Sequence, residues 1–157
     1  MTQNSTILRH KIALYEPDIP QNTAAIIRTC ACLGAKLEII EPCGFRLSDK
    51  RFKRVVMDYM DWDKIEIYQS SNKFFEAKKN HRVILMTTKA SISYLKFKFE
   101  RDDTILFGRE SAGVPEKIHQ SISDRLKIPM KENTRSLNIA SSAAIVLAES
   151  LRQTKLI

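Results

Sequence analysis

Six short β-like runs, "KIALYEP" (11–17), "KLEIIEP" (36–42), "KIEIYQ" (64–69), "RVILMTT" (82–88), "TILFG" (104–108) and "RLKIPM" (125–130), alternate with segments of helical period. The segments 22–33, 48–61, 71–79 and 136–153 read as helices, with a shorter one at 114–121. Strands that alternate with helices imply an α/β fold built on a mostly parallel sheet. The run 89–103, "KASISYLKFKFERDD", fits no single period and is expected to be a loop with a short element. Neither a repeat nor a linker interrupts the pattern, so 1–157 is expected to be one domain. Its length suffices for a single core.

Hydrophobic residues make up 43% of the chain and charged residues 28%, a composition that argues against disorder. Lys and Arg number 26 against 18 Asp and Glu, a net charge of +8. That excess fits a polyanionic partner, nucleic acid first, although a basic balance also serves solubility alone. "MTQNSTILRHK" lacks the apolar core of a signal peptide, and no apolar run is long enough to cross a bilayer. A cytoplasmic protein without a membrane partner is the expectation. Cys30 and Cys32 fall two apart on a helix, facing different ways, and with Cys43 are expected to be buried free thiols rather than metal ligands.

No G-x-G-x-x-G follows the first strand and no G-K-[ST] occurs, so neither the dinucleotide fingerprint nor the P-loop is present. Chemistry concentrates in four other stretches. In "YEPDIPQNTAAIIRTC" (15–30) two prolines hold the exit of the first strand extended, and Asn22 or Thr23 is the expected helix cap. Ile26, Ile27 and Leu33 would face inward. Arg28, read as lying in the first two turns, opposes the helix dipole there, as either a solvated surface cation or one held at the ligand-binding edge of the sheet.

In "GFRLSDKRFKRVVMDYMDW" (44–62) Ser48 is the expected cap, and Phe52, Val55, Val56, Tyr59 and Met60 form an amphipathic stripe. Arg46, Lys50, Arg51, Lys53 and Arg54 gather at the helix start, where the dipole disfavours them. A solubilising face would gain by carrying them at the other end, so phosphate contact is the preferred reading. In "LFGRESAGVPEKI" (106–118) two glycines flank Glu110 in the most constrained loop of the chain, which suits either a ligand approach or a simple turn. In "NTRSLNIASSAAIVLAES" (133–150) Ser136 is the expected cap, and Ala140, Ala144 and Ala148 form a narrow strip that permits close packing within the chain or against a second copy.

Together these stretches resemble the SPOUT class of RNA methyltransferases, and within it the tRNA (cytidine/uridine-34-2′-O)-methyltransferases. "NTAAIIR" resembles the first motif, "LFGRESAGVP" the second and "IPMKENTRSLNIASSAA" the third. "LYEPDIPQNT", "IIEPCGF" and "DKRFKRVVMDY" resemble flanking features of the wobble-position subfamily. The resemblance spans nearly the whole chain. It implies a Rossmann-like sheet with a C-terminal deep trefoil knot, S-adenosyl-L-methionine as cofactor, a homodimer, no metal, and the tRNA anticodon stem-loop as substrate.

Carried over residue by residue, it implies catalytic roles for Asn22, Arg28, Glu110 and Asn138. Met86, Gly108, Ile128 and Ser136 become cofactor contacts. Arg28 would activate the ribose 2′-hydroxyl, and because a guanidinium is a poor base, a cation that orients phosphate and stabilises alkoxide is the favoured role. The chain departs from the pattern at Ala24 and Ala25 (usually Gly and Asn), Met86 (Leu), Arg109 (often Pro) and Ala140-Ser141 (Ser-Asn). The alternatives are methylation at another tRNA or rRNA site, and a non-catalytic RNA-binding module.

Overall fold

The structure is a computed structural model that describes residues 9–59 and 64–157. All six expected strands form: β1 (Lys11–Tyr15), β2 (Lys36–Ile40), β3 (Ile65–Tyr68), β4 (Val83–Met86), β6 (Thr104–Phe107) and β7 (Asp124–Lys127). A seventh, β5 (Ile92–Ser93), lies in the patternless 89–103 stretch and is followed by a single 3-10 turn, Tyr94–Lys96. The sheet order is β3-β2-β1-β6-β4-β7-β5, and every pairing is parallel.

Among the described residues five helices cover the sheet: α1 (Pro20–Leu33), α2 (Lys50–Met57), α3 (Ser71–Ala77), α4 (Glu116–Ser121) and α5 (Ile139–Gln153). Alternation along the strands divides the core in two. Ile12, Leu14, Leu37, Ile39, Ile105 and Phe107 face one way, against Ile26 and Ile27 of α1, Phe52 and Val56 of α2, and Val146 and Leu147 of α5. Ala13, Tyr15, Leu85 and Leu106 face the other way, against Phe74 of α3 and Ile118 and Ile122 around α4. The result is a three-layer α/β/α sandwich. Each fully buried Ile contributes about 1.5–3 kcal/mol of apolar burial, so the central strands anchor everything that sits on their ends.

Helix starts differ from expectation, and each difference has a local cause. The first turn of α1 holds Pro20, whose fixed φ and missing N–H suit that position, and Ile19 at the cap supplies no side-chain bond. Asn22 is therefore not a cap. Asp49, not Ser48, caps α2 by accepting from Arg51 N and Phe52 N at 2.8 and 3.2 Å. Asn138, not Ser136, caps α5 by accepting from Ala140 N and Ser141 N at 2.8 and 3.2 Å.

The α2 stripe is narrower than expected. Phe52 and Val56, one turn apart, meet the core, whereas Val55 and Tyr59 are 48% and 41% exposed. Met60 lies outside the described residues, as do Met1–Leu8 and 61–63. On α5 the buried row is Ala143, Val146, Leu147, Ser150 and Leu151. Ala140 and Ala144 sit half-buried at its flank and Ala148 is exposed, because α5 turns a broader, branched face to the sheet. Of the cysteines, Cys30 is buried and Cys43 half-buried, but Cys32 is exposed, since two residues along a helix turn the side chain outward.

Candidate active site

The C-terminal ends of β4, β6 and β7, with Ile19 and Asn22 at the start of α1, surround a cavity of about 550 Å³. Ligands bind at this edge in open parallel sheets. Met86 ends β4, Gly108 follows β6 and Ile128 follows β7; these three border the cavity with Ser136. The four residues assigned to the cofactor are thus brought together from three strands and the loop before α5.

The loop after β6 is held closed by two backbone bonds, Arg109 N to Gly113 O at 3.1 Å and Gly113 N to Arg109 O at 2.8 Å. A Cβ on Gly108 would stand 2.6 Å from the Gly113 Cα and carbonyl carbon, so only glycine permits this closure. Gly113 takes φ +65°, a left-handed conformation natural to glycine. The closed loop aims Glu110 back at the exit of β1, where Glu16 also adopts a positive φ of 41°. A non-glycine residue held there stores backbone strain of order 1–3 kcal/mol, as is common beside functional sites.

Asp18 staples the two loops together. Its carboxylate accepts from the Arg109 guanidinium at 2.5 Å and from Ser111 Oγ and N at 2.5 and 3.1 Å. Those bonds, Arg109 foremost, hold the Asp18 carboxyl down at about 2. Asp18 N in turn donates to Glu110 Oε2 at 2.8 Å.

From Glu110 a polar chain crosses the cavity mouth. Asn22 Nδ2 donates to Glu110 Oε1 at 3.4 Å, and Asn138 Nδ2 donates to Asn22 Oδ1 at 2.9 Å. Chemistry at the two ends fixes both amide orientations. The α5 cap needs an oxygen from Asn138, which leaves its NH₂ for Asn22; the carboxylate of Glu110 accepts only, so it needs the NH₂ of Asn22. Three residues with expected catalytic roles therefore form one ordered unit.

Arg28 stands apart from it. With α1 starting at Pro20, Arg28 is in the third turn, so the dipole argument for its placement lapses. It is exposed, does not border the cavity, and lies over the Tyr59 ring with its guanidinium carbon 4.9 Å from the centroid. Arg46, Lys50, Arg51 and Arg54 are exposed around the start of α2, with Lys53 half-buried. The acidic cap Asp49 offsets part of their repulsion from the helix dipole.

Residues 9–148 match the SpoU rRNA Methylase family. The chain belongs to that family. Among SpoU-family relatives, the tRNA (cytidine(34)-2′-O)-methyltransferase of Beijerinckia indica is 49% identical over 144 residues, covering 90% of each chain. A solved structure concerned with 2-OH methylation of C/U34 on tRNA superposes with a TM-score of 0.85 at 36% identity, covering 92% of this chain and 95% of that one. The SpoU methyltransferase AviRb of Streptomyces viridochromogenes, solved with AdoMet, shares the fold at a TM-score of 0.81 and 21% identity, covering 96% of this chain and 64% of that one.

Two residues around the cavity escaped sequence reasoning. Asp18 carried a faint signal, a carboxylate between two prolines in "EPDIP". His119, on α4 at the cavity wall, carried none.

Proposed function

We propose that this protein transfers a methyl group from S-adenosyl-L-methionine to the ribose 2′-hydroxyl of the wobble nucleotide, position 34, in the tRNA anticodon stem-loop. The observation that carries the reading is the Glu110–Asn22–Asn138 chain across the mouth of a strand-end cavity, in a chain 49% identical to a tRNA (cytidine(34)-2′-O)-methyltransferase.

The cavity suits the cofactor. Its volume is in the range of small-molecule sites, the Gly108–Gly113 approach leaves backbone rather than side chains along one wall, and apolar strand ends alternate with a few polar groups. Met86, Gly108, Ile128 and Ser136 would hold it. When bound, S-adenosylmethionine supplies a methyl already activated on a sulfonium. The work left to the protein is to orient the ribose and to stabilise the charge that develops on O2′ as its proton leaves.

In this reading the Glu110–Asn22–Asn138 chain is the rigid rim against which the ribose is placed. Arg28 lies outside the cavity of its own chain, so its role as the cation that grips the neighbouring phosphate and meets the developing alkoxide is read for the cavity of a second copy in the homodimer, with Tyr59 restraining its guanidinium. Arg46, Lys50, Arg51, Lys53 and Arg54 carry the anticodon stem backbone. Exposed Tyr59 under Arg28, with exposed Val55 four residues before it, offers a small apolar flank of the kind a second copy would cover in a homodimer. The insertion of β6 between β1 and β4, and of β7 between β4 and β5, supports a trefoil-knotted C-terminal region. A cytoplasmic location fits this substrate.

Replacing Arg28 tests the mechanism. Arg28→Ala should abolish methyl transfer while S-adenosylmethionine affinity stays nearly unchanged, and Arg28→Lys should rescue poorly because an ammonium lacks the planar fork. Near-normal turnover in Arg28→Ala would remove it from the mechanism.

A further inference from the structure

Apolar side chains open to solvent are ordinary when scattered and informative when they share one rim. Ile19, Met130 and Leu137 are all exposed, and all three border the strand-end cavity. Two of them are also fixed relative to its polar rim. Ile19 immediately precedes α1, and its carbonyl accepts from Asn22 N at 3.2 Å. Leu137 immediately precedes Asn138, the cap of α5. The 2.9 Å bond from Asn138 Nδ2 to Asn22 Oδ1 therefore holds the backbones that carry Ile19 and Leu137 at the same rim. Their side chains are 41% and 43% exposed, so a ligand that reaches the rim from solvent meets them.

The chemistry of a nucleotide says which part it lays there. In the reading above the ribose is placed against the Asn22–Asn138 rim. The base is bonded to C1′, the carbon next to the one that bears the reacting hydroxyl, so it lies beside the same rim. The rim amides are already engaged: Asn22 Nδ2 donates to Glu110, Asn22 Oδ1 accepts from Asn138, and Asn138 Oδ1 caps α5. Ile19 and Leu137 add apolar surface, which suits the flat face of a base rather than its hydrogen-bonding edge. Contact through the face is indifferent to which pyrimidine is present. A nucleotide in a single-stranded loop also gives up its stacking at low cost.

We propose that Ile19 and Leu137 are specificity-determining residues that seat the face of the pyrimidine base of the nucleotide being methylated. This rests on the methyltransferase reading above.

The test measures the affinity of S-adenosylhomocysteine-saturated protein for tRNA assembled by ligation with cytidine, uridine or a base-free ribose at position 34. Ile19→Ala and Leu137→Ala should each weaken binding roughly three- to ten-fold, alike for cytidine and uridine. With the base-free ribose that difference from wild type should disappear, which a purely structural role would not produce. Thermal melts establish that each variant is folded. Wild-type affinity of both variants for the cytidine tRNA would overturn the proposal, as would a loss that persists without the base or is confined to one pyrimidine. Weakened calorimetric binding of S-adenosylhomocysteine would assign the side chains to the cofactor instead, and altered sedimentation would assign them to a second copy; either result overturns the proposal. Failure of the wild type to bind S-adenosylhomocysteine or any of these tRNAs would overturn the methyltransferase reading itself.

Discussion

Asn138 reaches Asn22 across 2.9 Å, joining two residues 116 apart in the chain and closing the first turns of α1 and α5 over one cavity. The same side chain caps α5 through its oxygen. Its two halves can be separated by substitution. Asn138→Asp keeps the cap oxygen and loses the donor to Asn22, so its melting temperature should stay near wild type while methyl transfer falls at least ten-fold. Asn138→Ala loses both and should also lose about 0.5–2 kcal/mol of stability in denaturant unfolding. Equal stability losses in the two variants would mean that the cap is not what Asn138 contributes.

The Asp18 staple makes a claim about pH. Its carboxyl is held at about 2, below its ordinary 3.8, so the stability it adds is present above 3.8 and is lost only as pH falls toward 2. Cofactor binding followed by fluorescence should therefore show no transition from this group between pH 7 and 4. Asp18→Asn should weaken binding at neutral pH by loosening Arg109 and Ser111 together.

His10 makes the opposite kind of claim. It is fully buried, its Nε2 meets Thr154 Oγ1 at 3.0 Å, and its Nδ1 has no partner among the described residues. Burial lowers its pKa below 6.5, so the unfolded chain binds the proton more readily. Stability from this group is complete above pH 6.5 and declines as pH falls below it. Unfolding free energies measured from pH 7.5 to 5.5 should decline less in His10→Gln than in wild type; parallel curves would exclude His10 as the source.

The α5 alanines separate core from surface. Ala143 is 1% exposed, so Ala143→Leu overpacks and should cost about 1–3 kcal/mol. Ala148 is exposed within one chain. Ala148→Leu should leave folding intact, and sedimentation of wild type and variant tests the proposed contact with a second copy: association lost only in the folded variant places the interface at this flank, and unchanged sedimentation removes it.

Arg51 and Arg54 test the RNA surface. Replacing both with Ala should flatten the log–log salt dependence of tRNA binding by about one to two counterions, and an unchanged slope would leave the cluster a solubilising one.

Much of this was legible in the sequence, for reasons that also explain the rest. The six strands are visible because each is a compact apolar run bounded by breakers. β5 is invisible because its two residues owe their pairing to Leu126 and Lys127, far along the chain, and not to their own pattern. Helix caps were placed one to three residues wrong because Ser48 and Ser136 satisfy the local rule as well as Asp49 and Asn138 do. At α5 the bond from Asn138 to Asn22 adds a tertiary tie that Ser136 lacks, whereas the bonds of Asp49 are local to α2. The cavity residues Met86, Gly108, Ile128 and Ser136 were named through family resemblance, and parallel topology explains their convergence. Arg109–Asp18 was missed because the two residues lie on different loops, and His119 because only folding brings α4 to the cavity wall.

The central claim is the site of methylation. Purified protein incubated with S-adenosylmethionine and unmodified tRNA, followed by ribonuclease digestion and mass spectrometry of the anticodon fragment, reads it directly. The account predicts a gain of one methyl on the ribose of nucleotide 34, absent with Arg28→Ala. A methyl placed on any other nucleotide, on a base, or on no tRNA at all would contradict it.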